Sequence, residues 1–220
     1  MDYSESSLDA ISKEKEKELD KLRQEIANCF DCPLSKTRNK TVPGEGSPRA
    51  RIMFIGEAPG AKEDESGIPF CGQAGKFLDE MLGNIDLKRS DVFILNTVKC
   101  RPPENRDPED SEKAACRHFL DKQFEIIDPI LVVPMGKHAV TNFLPGVGGI
   151  TALHGRVLKR PNGKYYFPLY HPAAALHNGG LRSTLIDDFN KIPAVLEKIT
   201  AEKSKAEKIK SENIQQQKLI

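Results

Sequence analysis

The chain has 220 residues, with 33 lysines and arginines against 32 aspartates and glutamates, a net charge of +1 and five cysteines. That length suits one α/β domain with a sizeable core and a flexible end or two. A charge so near zero excludes bulk electrostatics as evidence for nucleic acid, so any DNA contact needs a local basic surface. No apolar run approaches the roughly 20 residues of a membrane span, so no membrane association is expected.

The start, Met1 to Ser7, is acidic and serine-rich and lacks the apolar centre of a signal peptide, so a cytoplasmic location is expected. In a reducing compartment an odd number of cysteines is read first for metal or cluster ligation. Ile11 to Ala27 places apolar residues at positions 11, 19, 22 and 26 among many charges, the pattern of a solvated amphipathic helix. Residues 1–28 are therefore read as an N-terminal helical segment leading into Cys29 and Cys32, a C-x2-C pair.

From Arg51 to about Leu196 the apolar runs "RIMFIG", "VFILNTV", "PILVVPMG" and "YYFPLYHP" alternate with helical stretches, namely "GQAGKFLDEML", "PEDSEKAACRHFLDKQFEII" and "KHAVTNFL". Near-continuous apolar strands between helices predict a mostly parallel sheet covered on both faces, within a domain spanning 29–199. Cys100 and Cys116 fall after the second strand and in the next helix. With Cys29 and Cys32 they make four thiols, which suit either a zinc ion or a four-iron cluster. Cys71 is the odd one and reads as a small buried hydrophobe. Residues 200–220 are lysine- and glutamine-rich and read as frayed helix or flexible tail.

Ligands of open α/β sheets bind at the carboxyl ends of the strands. Gly56 and Glu57 follow the first run, Asn96 ends the second, Gly136 the third, and His171-Pro172 follow the fourth. Each alone could serve a turn or a hydrogen-bonded strand end. Together a carboxylate, an amide and an imidazole, with the flat face of Phe70 beside them, suit a planar heterocycle. No G-x-G-x-x-G or G-x-x-x-x-G-K-[ST] follows the first strand, which disfavours an ordinary nucleotide-binding enzyme.

"GEAPGAKED", "GIPFCGQAG", "NTVKCRPPENRDP" and "YHPAAAL", in this order and with these cysteines, resemble the iron-sulfur uracil-DNA glycosylases, family 4 of that superfamily, over roughly Cys29 to Leu196. The resemblance implies a three-layer α/β/α sandwich around a four-stranded parallel sheet. It implies a 4Fe-4S cluster on Cys29, Cys32, Cys100 and Cys116 that staples loops meeting DNA, and hydrolysis of the N-glycosidic bond of uracil. It also places Glu57 and the backbone around Ala58 near the attacking water, counts Gly56 and Ala58 among the uracil-binding residues, and sets Glu63 near uracil C5. The residues agree with that chemistry: an extruded base must be stacked and its Watson-Crick edge read. Phe70 is the stacking face, the Asn96 amide donates to O4 and accepts from N3–H, and His171 donates to O2 as negative charge develops on the leaving base.

Phosphate contacts are expected from "KCRPPENR" and "HPAAALHNGGLR", with Arg101 and Arg182 as the basic groups and Leu176 or His177 entering the space left by the flipped base. Uracil-containing DNA, single- or double-stranded, is the expected partner of a monomer. A cluster- or zinc-stapled DNA-binding module without excision is the alternative. The terminal "QQKLI" faintly resembles the start of a sliding-clamp-binding peptide without its aromatic residues.

Overall fold

The computed structural model describes residues 5–176 and 178–217. The first helix, α1 (Glu5–Ala27), contains neither glycine nor proline, and it buries Leu19, Leu22 and Ile26 while Ile11 stays exposed. This confirms one apolar face and one solvated face. After a short turn carrying Cys32, the chain forms β1 (Glu45–Gly46), β2 (Ile52–Gly56), α2 (Ala61–Ser66), α3 (Gln73–Gly83), β3 (Phe93–Asn96) and α4 (Asp110–Ile127). It continues through β4 (Leu131–Pro134), α5 (Lys137–Phe143), α6 (Ile150–Leu153), β5 (Leu158–Lys159), β6 (Tyr165–Tyr166), α7 (Pro172–Leu176), α8 (Gly179–Phe189) and α9 (Ile192–Gln217).

The sheet order is β1-β3-β2-β4-β6-β5. Its four central strands, β3, β2, β4 and β6, are parallel, as the apolar runs predict. Two strands of two residues each, β1 and β5, add antiparallel edges that the sequence does not announce. Every residue of β2, β3 and β4 is buried, because helices cover both faces. The two-residue period divides them: Ile52, Phe54, Ile94 and Val133 face one apolar cluster with Phe189 and Leu185, whereas Met53, Ile55, Leu95 and Val132 face another with Leu19, Leu120 and Val140. The result is the three-layer α/β/α arrangement.

The strand order reverses across β2, with β3 on one side and β4 on the other. A crevice therefore opens at the carboxyl ends of these strands. The tail starts as an extension of the body, since α9 runs unbroken through position 200. Its first turns are tied down by Arg51 donating to Thr200 Oγ1 at 2.5 Å and Tyr165 donating to Glu202 at 2.7 Å. The clamp-like "QQKLI" extends past residue 217 and its leucine lies outside the described residues. Among the described residues no helix is long and apolar enough to cross a membrane.

Candidate active site

A cleft of about 370 Å³ sits at the strand ends, and Glu57, Ala58, Glu63, Phe70, Asn96 and His171 all line it. The expected groups are thus brought together from four segments of the chain. A larger depression of about 850 Å³, walled by residues such as Phe124, Phe143 and Tyr166, holds none of them.

Gly56 is the floor. Its register partner is Asn96, and a Cβ there would sit 2.3 Å from Asn96 Oδ1 and 2.7 Å from Phe70 Cζ. Only a glycine lets the amide and the ring close over the end of β2. Asn96 itself is buried, and its carbonyl accepts a hydrogen bond from Lys99 Nζ at 2.7 Å, which fixes the backbone from which the amide projects.

Phe70 adopts a positive φ of 51°, costly for a bulky side chain. Three contacts hold it there. Gly75 lets α3 pass so close that a Cβ would fall 1.5 Å from the Phe70 carbonyl oxygen. Arg89 donates to the carbonyls of Pro69 at 2.5 Å and Phe70 at 3.4 Å, and it pairs with Glu45 at 2.6 Å and Asp79 at 2.9 Å. The ring finally lies 5.5 Å from the His171 ring, inclined by 28°. Arg89 went unread in the sequence because nothing in "KRSDV" marks a guanidinium that braces a loop almost twenty residues away.

His171 packs against Gly136, whose φ of +89° turns β4 into α5 and whose missing side chain leaves 3.0 Å to the His171 Cβ. Burial lowers the imidazole pKa from 6.5 to about 4. The Ala173 backbone N–H donates to Nδ1 at 3.1 Å, so the neutral ring carries its hydrogen on Nε2. The side chain is therefore a neutral donor at neutral pH.

The Glu57 carboxyl is raised above its ordinary range by burial and by Asp107, against the opposing pull of His138 and Lys113. Its Oε1 is buried without a hydrogen-bond partner among the described residues. Glu63 folds back so that its carboxylate lies over Gly60 and Gly72. Its helix α2 is anchored by the buried Asp64, which accepts from the backbone and side-chain nitrogens of Asn39 at 3.0 and 2.7 Å. Glu57, Asp107 and His138 bring two carboxylates and an imidazole within 4.8 Å of one another.

The residues expected at DNA are placed unevenly. Leu176 is 38% exposed at the end of α7, which favours a wedge over a core role. Arg101 donates to Asn105 Oδ1 at 2.8 Å beside the cleft. Arg182 is engaged within the chain, with Nη2 2.9 Å from Glu80 and its guanidinium carbon 3.9 Å from the centre of the Phe77 ring. His177 lies outside the described residues. Cys71 departs from the buried hydrophobe expected: it is half-buried, with Sγ 3.2 Å from Ser66 Oγ.

Cys29, Cys32, Cys100 and Cys116 line one small chamber with Arg38, Lys99 and Phe119. The fit of an anionic, thiolate-bound group there rests on Lys99, which is 1% exposed, lines the chamber and has a backbone carbonyl, that of Asn96, as its hydrogen-bond acceptor. Burial pushes its pKa down to about 8, and the neighbouring Cys116 and Cys100 sulfurs act in the opposite direction. Arg38 Nη1 adds a donor 3.2 Å from Cys100 Sγ.

Residues 43–192 match the family model of the uracil DNA glycosylase superfamily. The chain is similar to a type-4 uracil-DNA glycosylase of Sulfurisphaera tokodaii, 47% identical over 79% of this chain and 83% of the relative. A type-4 uracil-DNA glycosylase of Thermotoga maritima is 41% identical over 80% of this chain and 93% of its own length. A type-5 uracil-DNA glycosylase of Thermus thermophilus is 31% identical over 60% of this chain and 68% of its own.

Proposed function

The chain belongs to the uracil-DNA glycosylase superfamily, among its type-4 members, and from that membership we propose that the cleft takes uracil extruded from DNA and hydrolyses its N-glycosidic bond. The observation that carries this reading is the convergence of the Asn96 amide, the neutral His171 donor and the Phe70 ring in one cleft.

The base stacks on Phe70. Asn96 Nδ2 donates to O4 while Oδ1 accepts from N3–H, a pattern that cytosine, with an amino group at position 4 and no N3 proton, leaves unpaired. Glu63 lies near C5, where a thymine methyl would meet it. As the bond between C1′ and N1 breaks, its electron pair passes to uracil, and the His171 Nε2–H stabilises the negative charge appearing at O2. Water adds to C1′, and the Glu57 carboxylate orients it and takes its proton, leaving an abasic site. Leu176 enters the vacated stack, and Arg101 meets the backbone.

The cleft reading is tested with oligonucleotides carrying uracil, hypoxanthine or thymine, scored for abasic sites. Release of uracil but not thymine is expected. Binding without excision by pure, iron-loaded protein would leave only a DNA-binding module.

The four chamber cysteines would hold a 4Fe-4S cluster, which would supply structural cross-linking between the segment after α1, the loop after β3 and α4. Support comes from the gathering of the four thiols in one chamber, from the buried Lys99 that lines it with them and from the Arg38 donor on Cys100. Replacing Cys29 or Cys116 by alanine is expected to lose iron and lower Tm by roughly 10 °C, the shift that about 3 kcal/mol produces in a domain of this size. Cys71→Ala should retain iron. Full iron content in the first two variants would overturn the ligand assignment.

A further inference from the structure

The function so far assigned to Glu57 leaves one of its oxygens unexplained. Oε1 is buried, has no hydrogen-bond partner among the described residues, and faces His138 Nδ1 at 3.4 Å. The other imidazole nitrogen, Nε2, lies 3.1 Å from Asp107 Oδ2. His138 thus stands between two carboxylates, one inside the cleft and one more exposed at its rim. It comes from the first turn of α5, directly after the tight bend at Gly136 that also seats His171.

A neutral imidazole cannot satisfy both neighbours. If Nε2 carries the hydrogen and donates to Asp107, Nδ1 turns a lone pair towards Glu57 Oε1. The imidazolium carries an N–H on each nitrogen, so its charge faces both carboxylates at ion-pair distance. We propose that His138 is a positioning residue for uracil excision: as an imidazolium held by Asp107, it keeps the Glu57 carboxylate ionised and aimed so that its free oxygen can hold and deprotonate the attacking water. This rests on the reading of the cleft as the uracil site.

The other charges around His138 do not replace it. Lys113 and Asp110, on α4, pair with each other at 2.7 Å. Arg117 pairs with Asp121 at 2.7 Å, and Arg106 is held by Glu112 at 2.7 Å and Glu109 at 3.6 Å. Lys137 precedes His138 on its own helix and lines the same outer groove. Lys113 acts on Glu57 only through space, and burial together with Asp107 still leaves the carboxyl raised.

The test compares iron-loaded enzyme with its His138→Leu, His138→Gln and Glu57→Gln variants, and with His138→Leu combined with Glu57→Gln, as single-turnover rate against pH. Activity needs ionised Glu57, so the rate rises through that group's pKa. Removing the cation should move the acid limb up by about one pH unit and, because the carboxylate is no longer aimed, lower the plateau rate above that limb about tenfold. The Kd for uracil-containing DNA, the iron content and Tm should hold, since His138 is 38% exposed. In the Glu57→Gln background the leucine substitution should cost nothing further. His138→Gln, with one neutral donor, should recover part of the rate without restoring the limb. Coincident acid limbs, or losses that simply add in the double variant, would overturn the assignment. Failure of the unaltered enzyme to release uracil would instead remove the cleft reading, and the proposal with it.

Discussion

Replacing His171 by leucine is expected to lower the single-turnover rate of uracil release by about 10²–10³-fold while changing DNA affinity little, the loss seen when one donor to a developing oxyanion is removed. The size of the effect follows from the environment. Burial depresses the imidazole pKa to about 4, and the Ala173 N–H occupies Nδ1, so the hydrogen on Nε2 is fixed in place before any DNA arrives. The contact is worth most in the transition state, because the O2 charge appears only as the bond breaks. A second outcome separates this role from that of an acid. An imidazolium donor would make the rate fall as pH rises through 6.5, whereas a ring neutral above its depressed pKa contributes no such limb between pH 6 and 8. A loss of rate in that window that disappears in His171→Leu would show that the histidine works charged.

Asn96→Asp is expected to cut kcat/KM for uracil at least about a hundredfold and to narrow the preference for uracil over cytosine. The aspartate offers only acceptors, so O4 faces a carboxylate where it met an N–H. The substitution leaves the scaffold intact, since the Lys99 Nζ bond goes to the Asn96 backbone carbonyl and the register with Gly56 is a main-chain pairing. Turnover of uracil and cytosine oligonucleotides by the purified variant measures both effects. Unchanged uracil turnover would remove Asn96 from base recognition.

What the sequence made legible divides along physical lines. The four central strands could be read because burial on both faces demands unbroken apolar runs, and the groups at their ends followed from where open sheets bind ligands. Glu57, Phe70, Asn96 and His171 accordingly meet in one cleft. The edges β1 and β5 were illegible, since two residues carry no period. So were partnerships between segments far apart in the chain. Nothing local says that Arg182 is held by Glu80, 102 positions away, or that His138 reaches both Glu57 and Asp107. Arg182 reads as a phosphate ligand on charge alone, and the structure shows a carboxylate and a ring already using that charge. The type-4 resemblance extends to the cysteines, whose gathering in one chamber could not be seen from a C-x2-C pair and two distant thiols.

The bracing of Phe70 by Arg89 and Gly75 bears on how the enzyme chooses among damaged sites in DNA. The backbone is fixed when the chain folds and the buried ring is wedged between Gly56 and His171, so little rotamer freedom remains to be lost as a base arrives. The shelf is the same empty or filled, and the protein gains nothing at that position by closing around its ligand. Differences in excision between uracil in a loose mispair, a tight pair and a single strand then reflect how readily the DNA itself releases the base from its stack. In that respect the enzyme is a rigid gauge, and the mechanics of the duplex decide which uracils reach it first.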